Sequence, residues 1–194
     1  MNINNEIKTD NQFNFSGFYK QIVEENPKFK RFIEIGVYKG HSITYLGQLL
    51  LNRSDAELYA VDLWDDSYIW NDDFSKLPNN YKKYKQEIKP YLFEIYKAHL
   101  KLKGLDKFIQ TIKGFSDKVA VYFTDEYFDF VFIDADHTYD QVKKDILAWL
   151  PKVKSGGIIA GHDYGNKGTG VKRAVDEIFT KTEHFKNVWY KKIK

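Results

Sequence analysis

The sequence predicts a doubly wound α/β domain with a mostly parallel sheet and helices on both faces. Short apolar segments alternate with segments of helical periodicity along the chain, which is typical of a parallel sheet with crossover helices. A glycine turn joins the first predicted strand to its helix, as in βαβ units. The 194 residues are close to the usual size of one domain, so we expect a single domain over residues 1–194.

The first half of the chain contains a complete βαβ unit over residues 32–62. A strand over 32–36 ends in the glycine turn, a helix over 42–51 follows, and a second strand over 57–61 ends at Asp62. This length is normal for two parallel strands joined by a helix. Before the unit, aromatic and apolar residues at helical spacing predict a helix over 13–25.

The second half continues the alternation after an irregular segment. Residues 63–80 mix aromatic and acidic side chains without a period and predict a lid-like excursion. The helix that follows strand 128–133 is expected to stop before Pro151. The remaining predicted elements are a helix over 84–102, a strand over 108–112, a helix over 117–123, a helix over 139–150, a strand over 157–161, a helix over 171–180 and a strand over 185–193.

Composition excludes several classes of protein. Thirty Lys and Arg against 27 Asp and Glu give a formal charge of +3, and the basic residues are scattered, so nucleic acid is not an expected partner. The absence of cysteine excludes disulfides and thiolate metal sites. No apolar run approaches the roughly 20 residues that span a bilayer, and the N-terminus lacks a signal-peptide pattern. We therefore expect a cytoplasmic protein without a membrane partner.

The glycine turn after the first strand predicts a ligand site. Glycines there let the backbone approach a ligand closely, but the spacing Gly36-x-x-x-Gly40 is neither G-x-G-x-x-G nor a P-loop. Glu34 suits a ligand that carries an ammonium group, and Asp62 is placed to accept hydrogen bonds from a ribose diol. The simpler alternative is that the glycines only form a tight turn and that Asp62 only caps a helix.

Acidic and imidazole residues follow two predicted neighbouring strands, at 134–137 and 162–163. Asp134 and Asp163 offer the oxygen ligands that a hard divalent cation prefers. His162 either joins the metal, which favours Mn²⁺ or Fe²⁺ over Mg²⁺, or indicates that no metal binds. A structural alternative exists for the first loop, because Asp136 or Thr138, the latter in a capping box with Gln141, could begin the next helix.

Taken in order, these motifs resemble class I S-adenosylmethionine-dependent methyltransferases, which have a Rossmann-like sheet. The resemblance covers about residues 30–180, and the pair of motifs at 134–139 and 156–164 resembles more narrowly the small bacterial O-methyltransferases of the macrocin type and, more distantly, catechol O-methyltransferase. The motifs that carry it are Glu34-x-Gly36-x-x-x-Gly40, Asp62, Gly114-Phe115-Ser116 and Ile133-Asp134-Ala135-Asp136-His137.

The resemblance implies a role for each site residue. The methionine part of the cofactor is expected at the glycine turn, its ribose at the end of the second strand and its adenine between two further segments. His137 is the expected general base, since it lies in the loop where the catechol enzyme places its catalytic lysine. The implied cofactor residues are Glu34, Gly36, Gly40, Ser42, Asp62, Leu63 or Trp64, Phe115, Ser116 and Asp134, and the implied metal ligands are Asp134, His162 and Asp163.

The implied activity is O-methylation of a small-molecule hydroxyl, on a sugar or a secondary metabolite, with S-adenosylmethionine as cofactor and Mg²⁺ or Mn²⁺ as an assisting metal. The sequence is compatible with a homodimer. Three alternatives stay open: a nicotinamide-dependent oxidoreductase, against which the missing G-x-G-x-x-G counts; a metal-dependent hydroxylase-like enzyme; and a non-catalytic protein that uses the aromatic excursion to bind a partner.

Overall fold

A computed structural model describes residues 3–8, 13–65, 83, 86–166 and 168–194. The strands are β1 (Arg31–Ile35), β2 (Glu57–Asp62), β3 (Ile109–Lys113), β4 (Phe128–Ile133), β5 (Val153–Gly161), β6 (Glu183–Phe185) and β7 (Val188–Lys192). The α-helices are α1 (Ile3–Lys8), α2 (Ser16–Glu25), α3 (His41–Leu50), α4 (Leu92–Leu102), α5 (Ser116–Val119), α6 (Tyr139–Trp149) and α7 (Val171–Ile178). Short 3₁₀ turns lie at Lys89–Tyr91, Ala120–Tyr122 and Leu150–Lys152.

The strands form one sheet in the order β3-β2-β1-β4-β5-β7-β6. Strands β1 to β5 are parallel, whereas β7 runs antiparallel to β5 and β6 antiparallel to β7. The chain moves outward from β1 to β3 and then returns to place β4 on the other side of β1. This reversal leaves a crevice beyond the carboxyl ends of β1 and β4, where doubly wound folds bind ligands. The predicted fold class is confirmed.

Alternating residues of the strands bury two hydrophobic clusters, one on each face of the sheet. On β4, Phe130 and Phe132 pack in the cluster that holds the buried residues of α2, α3 and α4. Val131 and Ile133 belong to the opposite cluster with α6 and α7. The sheet is therefore covered on both sides, which fixes the positions of its strand ends.

Several predicted boundaries need correction. The predicted strand over 185–193 is a hairpin of β6 and β7 that turns at Lys186, which has a φ of 53°. β5 begins at Val153, earlier than predicted, and α1 was not predicted. Of the predicted excursion over 63–80, residues 66–80 lie outside the described residues. Within the described ranges, no helix has the length and apolar character that a membrane crossing requires.

Candidate active site

A cleft of about 330 Å³ lies at the carboxyl ends of the central strands, where the topology places a ligand site. Residues from four strand ends, those of β1 to β4, and from the segment before α2 contribute to its wall. Of the predicted site residues, Glu34, Gly40, His162 and Asp163 are not part of this wall. Those that line it are Gly36, Ser42, Asp62, Leu63, Phe115, Ser116, Asp134 and His137.

The glycine turn is held in a conformation that other residues adopt poorly. Gly36 and Gly40 have φ values of +85° and +87°, in the left-handed region that favours glycine. A Cβ on Gly36 would lie 2.1 Å from the carbonyl oxygen of Asp134, and one on Gly40 would lie 2.8 Å from Cδ2 of Tyr96. Gly36 thus brings the end of β1 into direct contact with the loop after β4, and Gly40 brings the turn against Tyr96 of α4.

Asp62 organises this turn. Its Oδ2 accepts hydrogen bonds from the backbone N–H groups of Val37 at 2.7 Å and Tyr38 at 2.8 Å. Its Oδ1 accepts one from the backbone N–H of Trp64 at 2.9 Å. Asp62 therefore stabilises the turn between β1 and α3, and the predicted helix cap is wrong. A carboxylate has about four acceptor positions, so a ribose hydroxyl can still bind to it.

Glu34 lies behind the cleft wall and is fully buried. Its carboxyl accepts hydrogen bonds from the hydroxyl of Tyr19, at 2.8 Å, and from that of Ser42. Burial raises the pKa of Glu34 to about 8, since a low-dielectric environment disfavours the charged form. Glu34 is thus placed to orient Ser42, which lines the cleft.

The raised pKa of Glu34 predicts a pH-dependent stability. The folded protein holds the proton up to about pH 8 whereas the unfolded chain releases it near pH 4.5. The contribution of Glu34 to the free energy of unfolding is therefore fully present below the pKa that Glu34 has in the unfolded chain. It falls, by up to about 5 kcal/mol, as the pH rises to the pKa that Glu34 has in the folded protein. We expect the free energy of unfolding of Glu34→Gln, measured in urea between pH 5 and 8, to depend less on pH than that of the unchanged protein. Glu24→Gln, on the exposed side of α2, is the control that should leave the profile unchanged.

The carboxyl ends of β4 and β5 bring together Asp134, His137, His162 and Asp163. The Nε2 atom of His137 lies 3.1 Å from Oδ2 of Asp163 and 3.4 Å from Oδ1 of Asp134. The Nδ1 atom of His162 lies 3.1 Å from Oδ1 of Asp163 and 3.8 Å from Oδ2 of Asp134. The sequence prediction that these four residues meet at one edge is confirmed.

In this cluster, neighbouring charges and hydrogen bonds shift the pKa values of His162 and Asp163 in the direction opposite to the effect of burial. Burial alone would lower the pKa of His162, but the hydrogen bond with Asp163 and the charges of both aspartates raise it. Burial would likewise raise the pKa of Asp163, yet the hydrogen bond with His162 and the charge of His137 lower it. One ligand atom each from Asp134, His162 and Asp163 lies within 4.8 Å of the others, a spacing that suits a shared cation.

The structure corrects two smaller predictions. Thr138 precedes α6 without a side-chain cap, and its own backbone N–H donates to Asp136 at 2.7 Å, so the capping box with Gln141 is wrong. The sequence also predicts that His99 is a surface histidine, but His99 is 2% exposed, and its Nδ1 lies 3.1 Å from the carbonyl oxygen of Lys39. Burial lowers the pKa of His99 to about 4.

The cleft wall also contains residues that were not among the predicted site residues. Phe13 and Phe15 come from the segment before α2, and the ring centroid of Phe15 lies 4.7 Å from that of His162. Lys39 is almost fully buried and forms an ion pair of 3.1 Å with Glu6 of α1. Gln141 projects from α6. Gln141 and Asp145 are four residues apart, a spacing that places both side chains on one face of a helix. The sequence alone could therefore have indicated that they lie close together.

The sheet order and the cleft at its topological switch point define a doubly wound α/β protein with its cleft where such folds bind ligands. A family model described as a methyltransferase domain matches residues 33–164. The chain therefore belongs to the methyltransferase domain family, which confirms the family predicted from its motifs. No match was found among curated proteins.

Solved structures show the same fold. The O-methyltransferase NovP is 16% identical with a TM-score of 0.65, over 93% of this chain and 78% of that one. The O-methyltransferase from Bacillus cereus in complex with SAH is 14% identical with a TM-score of 0.63, over 97% and 87%. CalS11, a TDP-rhamnose 3'-O-methyltransferase, is 12% identical with a TM-score of 0.60, over 98% and 90%.

Proposed function

We propose that this methyltransferase transfers the methyl group of S-adenosylmethionine to a hydroxyl oxygen of a small molecule. The observation that carries the proposal is one continuous cleft. It runs from the glycine turn to the Gly114–Ser116 segment and includes Asp134 and His137 on its wall. A cofactor side and a proton-accepting side thus share one cavity in a chain of the methyltransferase domain family.

The protein's own contribution to the chemistry is alignment and proton removal. The bound cofactor supplies a methyl group already activated by its sulfonium. In the transfer, the carbon–sulfur bond breaks, the carbon–oxygen bond forms and the hydroxyl proton passes to His137. Asp134 and Asp163 lie within 3.4 Å of the His137 ring, so their carboxyl groups are placed to hold the imidazole in position. Holding the hydroxyl oxygen in line with the methyl group accelerates the transfer by orienting the reacting atoms.

The cofactor would be held by residues from four strand ends. Gly36 and Ser42 are placed for the methionine part, with Glu34 orienting Ser42 and with Gly40 shaping the turn. Asp62 is placed for the ribose, and Asp134 would contact both the cofactor and the acceptor. Leu63, Phe115 and Ser116 lie on the part of the wall assigned to adenine.

A divalent cation fits the cluster of Asp134, His162 and Asp163, whose ligand atoms approach one another within 4.8 Å. Two carboxylates and one imidazole suit Mn²⁺ at least as well as Mg²⁺. When bound, such an ion would lower the pKa of a coordinated hydroxyl and position its oxygen.

The acceptor class that we favour is a sugar or a hydroxyl-rich secondary metabolite. Phe13 and Phe15 supply apolar faces on the cleft wall, and Asp65 on the same wall supplies an acceptor for hydroxyl donors. The similar fold of CalS11, a TDP-rhamnose 3'-O-methyltransferase, supports this class.

Calorimetric titration tests the proposal. We expect S-adenosylhomocysteine to bind with a dissociation constant in the micromolar range, about 8 kcal/mol of binding free energy, whereas NAD should give no heat of binding. Repeating the titration with Mg²⁺ or Mn²⁺ and an Asp163→Asn variant tests the metal separately. Binding of NAD without binding of S-adenosylhomocysteine would contradict the proposal and favour the oxidoreductase alternative.

A further inference from the structure

A buried carboxyl group on α6 contacts the cleft wall from behind. Asp145 is fully buried, and its Oδ1 accepts hydrogen bonds from the hydroxyl of Ser116 and from Nε2 of Gln141, the latter at 2.9 Å. Oδ2 of Asp145 is buried without a partner in the described part of the chain. Ser116 and Gln141 line the cleft, whereas Asp145 does not.

These bonds fix which polar atoms remain for a ligand. Nε2 of Gln141 donates to Asp145 and also to Oγ of Ser116, at 3.4 Å, so the amide nitrogen is engaged by these two groups. The hydroxyl of Ser116 donates its one proton to Asp145. What remains is the carbonyl oxygen of Gln141 and a lone pair of Ser116. The side chains of Ser116 and Gln141 therefore offer two acceptors on this part of the wall.

We propose that Asp145 is a positioning residue that turns Ser116 and Gln141 into an acceptor pair for the exocyclic amino group of adenine, so that the site selects adenine over hypoxanthine. The inference rests on the proposed function, since it assigns the base-recognition part of the same cofactor site. An amino group has two N–H donors, which match two acceptors. The carbonyl oxygen of hypoxanthine would instead face two acceptors and leave three polar atoms unsatisfied.

The position in the fold agrees with this assignment. Ser116 begins α5 after β3, and β3 lies two strands away from β1 and its glycine turn. Neighbouring strands are about 4.8 Å apart, so the two ends of the cleft are separated by about 10 Å. That span suits a ligand whose amino-acid part binds at β1 and whose base binds at β3.

The protonation of Asp145 explains how its carboxyl can accept both hydrogen bonds, from Ser116 and from Gln141. Burial raises its pKa to about 7, and a proton on the unpartnered Oδ2 leaves Oδ1 as a neutral acceptor. An asparagine can reproduce that arrangement, with its carbonyl oxygen in place of Oδ1. Asp145→Asn should therefore keep the acceptor pair, whereas Asp145→Ala removes the group that orients it.

The test compares calorimetric affinities of the full chain for S-adenosylhomocysteine and S-inosylhomocysteine. We expect the unchanged protein to prefer the adenine compound by about 30-fold, the size of an unpaired buried polar group. Asp145→Ala and Gln141→Leu should each reduce this ratio below about threefold, and Asp145→Asn should retain it. Asp140→Asn, exposed on the same helix, is the matched control and should retain the full ratio.

A role limited to tethering α5 to α6 would weaken both ligands equally, and an unchanged ratio in Asp145→Ala would overturn the inference. If Asp145→Ala does not fold, as judged by thermal unfolding, Gln141→Leu at its half-buried position carries the same test. Binding of S-adenosylhomocysteine without discrimination against the inosine compound would overturn the inference alone. Failure of the unchanged protein to bind S-adenosylhomocysteine would instead overturn the proposed function, and the inference with it.

Discussion

Replacing His137 with alanine is expected to lower the turnover number by about 100- to 10,000-fold, the usual contribution of a general acid or base. His137 lines the cleft, and its Nε2 lies within 3.4 Å of Asp134 and Asp163. Removing the imidazole leaves the hydroxyl proton without an acceptor, but the cofactor contacts at the glycine turn stay intact. The measurement is single-turnover methyl transfer at saturating cofactor, together with the affinity for S-adenosylhomocysteine.

The affinity measurement makes this prediction specific. An unchanged dissociation constant with slow methyl transfer assigns His137 to the acceptor side of the cleft. A large loss of affinity would place it in the cofactor site and would contradict its role as base. His184→Ala is the control, because His184 is exposed on β6 and should leave both quantities unchanged.

Much of the site follows from sequence because parallel strands in register bring their carboxyl ends to one edge. Ile133 of β4 pairs with Gly161 of β5, so the residues that follow each strand, Asp134 and His162, must come close together. The buried apolar segments mark those strands, and the polar residues after them mark where the strands end. The same reasoning placed Asp62 next to the glycine turn.

The roles of individual carboxyl groups could not be predicted in the same way. Glu34 belongs to a strand, and its carboxyl accepts a hydrogen bond from Tyr19 of α2, which is 15 residues away in sequence. Asp62 is satisfied by backbone N–H groups, and a sequence pattern does not show backbone partners. His99 is buried because α4 packs against the glycine turn, a contact between elements 60 residues apart.

The turn before α6 shows a competition between two local signals. Thr138 and Gln141 have the spacing of a capping box, which predicts that Gln141 folds back onto the helix start. In the structure, Gln141 instead bonds to Asp145 one turn later and to Ser116. The amide of Gln141 thus bonds to Asp145 and not to the helix terminus, and the burial of Asp145 is a tertiary property that the local spacing does not show.

Gly36→Ala is the substitution with the largest expected effect on stability, at least about 3 kcal/mol. Two costs combine at this position. The φ of +85° disfavours any residue with a Cβ, and the added Cβ would lie 2.1 Å from the carbonyl oxygen of Asp134. Because that oxygen belongs to the backbone, the collision can be relieved only by moving the end of β4. The movement would displace Asp134 and His137, so we expect loss of methyl transfer as well.

A second glycine allows the backbone strain at positive φ to be measured separately from the collision with Asp134. Gly156 has a φ of +80°, and no heavy atom lies within 4 Å of the position that a Cβ would occupy there, so Gly156→Ala measures backbone strain alone, about 1–2 kcal/mol. Urea unfolding of both variants should therefore show a larger loss for Gly36→Ala, and only that variant should lose affinity for S-adenosylhomocysteine. Equal losses in the two variants would mean that the contact between the glycine turn and the loop after β4 contributes nothing, and that Asp134 is held in place by β4 and β5 alone.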